Sequence, residues 1–150
     1  MSTQESQELG KLININKDAC EFYHCAQEKA EDPELVRTFG ALESLHRHVM
    51  DNLQKEIAFT GDDAKAEETV VGQASKLWTN LMTHISNDVD ETLVKHLEEA
   101  EDRCLHSVQD AMEKESIRPS TKAMLRDELS SLQKSHDYMK ALKDCMKKAA

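Results

Sequence analysis

The sequence predicts an all-α chain folded as a four-helix bundle, two helical hairpins joined by a long crossover that contains an extra helix. Three observations carry this expectation. Only 4 Gly and 2 Pro occur in 150 residues, aromatics are 4 %, and Ala, Leu, Glu, Lys, Gln and Met dominate. Those residue types lose least on entering a helix, and so little Gly and Pro leaves little material for turns. Apolar residues recur at three- and four-residue spacing through long stretches, the period of a helix with one buried face. Helix-start signals at Asp32-Pro33 and Asn87-Asp88, and a short turn at Ile117-Arg118-Pro119-Ser120, then divide the chain. A chain of this length fits one domain with a sizeable core.

Residues 1–6 read as a disordered tail and residues 7–150 as a single bundle domain. The first helix runs to about Glu31, with Leu9, Leu12, Asn16, Ala19, Tyr23 and Ala30 on its stripe. At Asp32-Pro33 the aspartate caps, proline takes the first helical position, and Glu34 meets the positive end of the dipole. The second helix carries Leu35, Phe39, Leu42, His46, Val49, Leu53 and Ile57 inward and ends near Thr60-Gly61. Residues 61–87 have their own amphipathic pattern (Val71, Ala74, Trp78, Leu81, Ile85) and read as a helical crossover on the outside of the bundle.

Asp88 and Glu91 have capping-box spacing and open a helix from Val89 to about Glu115, with Leu93, Leu97, Ala100, Cys104, Val108 and Ala111 inward. After an Ile117–Ser120 turn the last helix buries Met124, Leu125, Leu132, Met139, Leu142 and Met146 and ends in lysines. Two hairpins joined by one long crossover make the topology ferritin-like, with the second helix parallel to the helix from Val89.

With 19 basic and 29 acidic residues the formal charge is −10. That excess opposes binding to nucleic-acid phosphates or to an anionic membrane surface. No apolar run approaches the length of a membrane span or a signal-peptide core, which points to the cytoplasm. The cysteines (Cys20, Cys25, Cys104, Cys145) lack C-x-x-C spacing, and Cys104 falls on an apolar face as a small hydrophobe. A homodimer suits bundles of this kind. An exposed Trp78–Leu81 patch would instead mark a protein-interaction module.

The polar residues on the apolar faces carry the functional question. Glu43-x-x-His46 puts a carboxylate and an imidazole one turn apart on the second helix, where both can reach one point. His46 sits at the centre of its stripe and Glu43 some 60° to one side, taking about 100° per residue. Glu101 lies among Leu97, Cys104, Leu105 and Val108, and His136 at the margin of the last helix's stripe. Counting from the helix starts places Asn16, Glu43, His46, Glu101 and His136 in one mid-bundle layer, with Glu128 off it and expected to bond Asn16 or a water.

A di-iron centre of this architecture takes a Glu from each of two helices and Glu-x-x-His from each of the other two. The first helix offers Asn16, Tyr23 and Gln27 inward and no Glu, so such a centre is not expected. Two readings remain. In one, the layer is a structural network with His46 paired to Glu101, since a buried carboxylate needs a partner whatever the function. In the other, Glu43, His46, Glu101 and His136 supply the ligands of a single Fe, Mn or Zn ion. The pattern of a phosphotransfer histidine at His48 or of a haemerythrin is absent.

Lys17-Asp18, Tyr23, Ala26 and Asp32-Pro33-Glu34-Leu35, with Glu98-Glu99-Ala100-Glu101-Asp102 and Ser135-His136-Asp137, resemble a bacterial family of small ferritin-like bundles known as a domain of unknown function. The resemblance spans roughly residues 8 to 147. It implies a bundle with a helical crossover and no established activity. Members often carry Arg where this chain has His46; Arg facing Glu101 would make an ion pair, whereas His can also ligate a metal. The expected function is thus a non-catalytic bundle protein, structural or stress-associated, with a metal-binding protein or metal-dependent oxidase as the competing class.

Overall fold

A computed structural model describes residues 3–59 and 88–149. The described residues form helices α1 (Thr3–Lys29), α2 (Pro33–Phe59), α3 (Val89–Met112) and α4 (Pro119–Ala149), with no strand among them. The expected crossover, with Trp78 and Leu81, lies outside the described residues.

Helix α1 packs against α2 and α3, and α4 against α3 and more lightly against α2. Cross-helix bonds give the directions. Gln27 meets Glu43 and Asn16 meets His46, so residue numbers fall on one helix as they rise on the other, and α1 and α2 are antiparallel. Tyr23 meets Glu101 and Glu8 meets Lys114, so α1 and α3 are antiparallel too. Helices α2 and α3 therefore run parallel.

The helix boundaries follow their capping chemistry. Asp32 accepts from the Glu34 amide at 2.9 Å, and Asp88 from the Glu91 amide at 3.0 Å, each satisfying a donor that has no intrahelical acceptor. Asp90 does similar work in trans. Its two oxygens accept from the amides of Glu31 and Asp32 at 2.8 and 3.1 Å, fastening the α1–α2 turn to the start of α3.

Helix α1 begins at Thr3 rather than near residue 7, and the reason is Glu5. Its buried carboxylate accepts from the Arg118 backbone amide at 3.2 Å and from Arg118 Nε at 3.1 Å, at the N-terminus of α4. A carboxylate there complements both the free amides and the helix dipole. Burial alone would raise the Glu5 pKa, but bonds from Thr121 and Arg118 outweigh it and hold it below its ordinary value. Glu5→Ala is expected to destabilise the fold by about 1 kcal/mol, low for a bond to a charged group because Arg118 stays partly in water. Urea denaturation of the variant checks this.

The apolar interior has two parts. One contains Leu12, Val49, Leu53, Leu105, Val108 and Leu132; the other contains Phe22, Leu35, Phe39, Leu42, Leu97 and Met139. Along α2 the sequence passes from Leu42 to Val49 with buried His46 between, and along α3 from Leu97 to Cys104 with buried Glu101 between. The two parts of the core meet at a polar layer.

Candidate functional site

Helix side chains lean toward the N-terminus of their own helix. Because α2 and α3 are parallel, His46 and Glu101 lean the same way and meet at the same height, with Nε2 and Oε1 2.8 Å apart. Tyr23, on antiparallel α1, leans toward them from the opposite end. Its hydroxyl donates to the same Glu101 oxygen at 2.5 Å, and its ring stacks on the His46 imidazole with centroids 5.8 Å apart. All three side chains are fully buried.

The hydrogen-bond chain also fixes the imidazole's protons. Asn16 Nδ2 donates to the Leu12 carbonyl at 2.8 Å, which turns Asn16 Oδ1 toward His46 Nδ1, also at 2.8 Å. Reversing the amide would set Oδ1 against the Leu12 carbonyl oxygen, so Nδ1 carries a proton and donates it. One further proton must lie between Nε2 and Glu101 Oε1, since two acceptors do not bond. Oε1 also receives the Tyr23 hydroxyl, and because the Glu101 carboxyl is held below its ordinary value, that proton rests on Nε2.

Burial by itself would push the Glu101 carboxyl up. The His46 bond and charge, then Tyr23 and Ser135, outweigh it and hold the group below its ordinary value of 4.5. Burial and the adjacent Glu101 carboxylate push the Tyr23 hydroxyl well above its own. A depressed carboxyl stabilises the fold above about pH 4.5 and loses that contribution as pH falls through its folded-state value. Wild type is therefore expected to lose stability more steeply than Glu101→Gln on acidification below pH 4.5, as denaturation midpoints measured across that range would show. Glu8, held low first by its bond from Lys114, adds a slope of the same sign to both proteins.

Of the residues expected in the layer, the structure brings together Asn16, His46 and Glu101. Glu43 turns toward α1, where it accepts from Gln27 at 2.7 Å and pairs with Arg47 at 3.0 Å and His24 at 3.3 Å. Gly40 leaves room for this, since a Cβ there would come within 3.2 Å of Gln27 Oε1. His136 lies on the α3–α4 seam, its Nε2 3.2 Å from Asp102 and 4.0 Å from Glu98, and its Nδ1 3.1 Å from Asp137. Glu128 bonds Asn52 at 2.6 Å, not Asn16. A metal bound as an Fe, Mn or Zn ion needs several donors about 2.0–2.3 Å from one point. Among the described residues no group of three or more His, Cys, Asp or Glu side chains is placed to hold one.

Tyr23 and Ser135 are the members that inward-facing counts did not place in the layer. Tyr23 was legible as an inward polar residue of the first helix. Its reach down to Glu101 follows from its length and tilt, which counting along Cα positions ignores.

The sequence model of one family, a domain of unknown function designated DUF2383, matches residues 4–114. The chain belongs to DUF2383. The match spans α1, α2 and α3, and with them Asn16, Tyr23, His46 and Glu101; α4 lies beyond it. No curated protein matches the chain. The resemblance drawn from the sequence agrees in pointing to a family of unknown function. No described helix is long and apolar enough to cross a membrane.

Proposed function

We propose that this DUF2383 chain is a non-catalytic, ferritin-like bundle protein of the cytoplasm, whose mid-bundle polar layer serves to fix helix register. The observation that supports it is the direct bond between His46 Nε2 and Glu101 Oε1, with Asn16 and Tyr23 completing the chain. Slipping α2 or α3 by one turn would set Glu101 or His46 against the leucines on either side. A buried charge without its partner costs several kcal/mol, so one register is strongly preferred.

The same bond bears on the metal-binding alternative. The nitrogen that would ligate an ion is already engaged, and binding would have to expel the proton it shares with Glu101. Glu43 and His136 would also have to leave the ion pairs that hold them. Equilibrium dialysis of chelator-treated protein against Fe(II), Mn(II) and Zn(II), with His46→Ala alongside, tests the proposal. Metal retention independent of His46, or none, is expected. About one ion per chain, lost in His46→Ala, would overturn it and make the layer a ligand set.

A further inference from the structure

Away from the polar layer, the end of the bundle where α4 begins holds a carboxylate in the way a ligand is held. Glu5 is 0 % exposed although it stands in the first turn of α1. One of its oxygens accepts from the Arg118 backbone amide at 3.2 Å, and the other accepts from Arg118 Nε at 3.1 Å. Main chain and side chain of one residue thus grip the two oxygens of one carboxylate. Arg118 directly precedes α4, so the positive end of that helix dipole lies beside the same group. One turn along α1, Glu8 accepts from Lys114 Nζ at 2.7 Å and fastens the turn a second time.

We propose that the start of α4 is a binding seat for one carboxylate group, with Glu5 as its resident and the first turn of α1 as the strap that keeps it filled. The donors select the ligand class. A carboxylate is planar with two acceptor oxygens, and the amide and Nε are set to meet one each. Room for such a group is shown by Glu5 itself, whose whole side chain is enclosed there. Its atoms beyond Cβ are those of an acetate ion, so Glu5→Ala vacates the volume of one acetate.

In the wild type the strap keeps other carboxylates out. Glu5 is tethered beside the seat, and a tethered group acts at an effective concentration on the order of millimolar. The chain also holds an internal rival. Glu56 on α2 lies 3.8 Å from Arg118 Nη2 and accepts from Thr121 Oγ at 3.2 Å. It meets a different guanidinium nitrogen from the one that grips Glu5, so it borders the seat without filling it. The seat is separate from the mid-bundle layer and stands whichever way that layer is read.

Chemical rescue tests the seat. Tm is measured at neutral pH for wild type, Glu5→Ala, Glu5→Gln and the double variant Glu5→Ala with Arg118→Ala, in sodium acetate and in sodium chloride of equal ionic strength. Acetate at its Kd is expected to restore about half of the Tm that Glu5→Ala loses. The Arg118 amide signal of that variant should shift along the same saturation curve. Wild type, the double variant and Glu5→Gln, whose side chain fills the same volume, should gain nothing over chloride. Equal Tm of Glu5→Ala in the two salts would overturn the seat and show Glu56 to be the only other carboxylate that Arg118 accepts. An equal gain in wild type, or an Arg118 amide that ignores acetate, would overturn it as well, because the ion would then bind elsewhere.

Discussion

Glu101→Ala is expected to destabilise the protein by about 3–5 kcal/mol, the range for removing one member of a buried ion pair. The loss has three parts. His46 keeps a buried ring nitrogen facing a cavity, the Tyr23 hydroxyl loses its acceptor, and the missing side-chain atoms leave a void between the two halves of the core. The double substitution His46→Leu with Glu101→Met behaves differently, because it removes both polar groups and refills the space. It is expected to lose about 1–3 kcal/mol, less than Glu101→Ala, because both charges are gone while the Tyr23 hydroxyl and Asn16 Oδ1 stay buried without their partners. Urea denaturation of both variants separates the net worth of the pair from the penalty of breaking it. A Glu101→Ala loss below about 1 kcal/mol would mean that water reaches the layer freely. The double variant should also show a less uniquely packed bundle, visible as broader side-chain NMR signals, because nothing then distinguishes one register from a slipped one.

Phe39→Ala is expected to lose about 3–5 kcal/mol, by a different mechanism. Phe39 is fully buried on α2 in the half of the core that also holds Leu35, Leu42, Leu97 and Met139. Its ring lies 6.0 Å from that of Tyr23, tilted by 48°. Removing it opens a cavity beside the aromatic that donates to Glu101. The loss should therefore exceed that of Leu35→Ala, at the edge of the same cluster and 6 % exposed. Thermal denaturation of the two variants checks the order. Equal losses would show that Tyr23 gains no support from Phe39.

These predictions rest on features that were unequally legible in the sequence. The stripe of α2 was readable throughout: Leu35, Phe39, Leu42, His46, Val49, Leu53 and Ile57 are all buried. So was that of α3, from Leu93 to Ala111. A helix repeats its face every three to four residues, and apolar side chains record that face without reference to any other helix. The shared height of His46 and Glu101 was also readable, because both helices start at a clear cap and run parallel.

Glu43 and His136 show where that reasoning stops. Both lie near the right height, but both lie off the centre of their stripes. An offset of some 60° around a helix of about 10 Å diameter carries a side chain toward a neighbouring seam instead of the bundle axis. Partners at the seams then decided the matter: Gln27 and Arg47 for Glu43, Asp102 and Asp137 for His136. Glu5 was hidden for another reason. Nothing local marks a carboxylate as the partner of an amide more than a hundred residues along the chain, so a polar first turn reads as a frayed end.

The same distinction bears on function. The central claim is that the proton between His46 and Glu101 belongs to the resting protein and leaves no place for a metal ion on that nitrogen. Long-range proton–nitrogen correlation of the His46 ring, recorded before and after addition of Zn(II) or Mn(II) to the chelator-treated protein, tests it most directly. The account predicts one proton on Nδ1 and a second, slowly exchanging proton correlated with Nε2, both unchanged by either ion. Loss of the Nε2 proton on adding Zn(II), with selective broadening of the His46 and Glu101 signals by Mn(II), would contradict it.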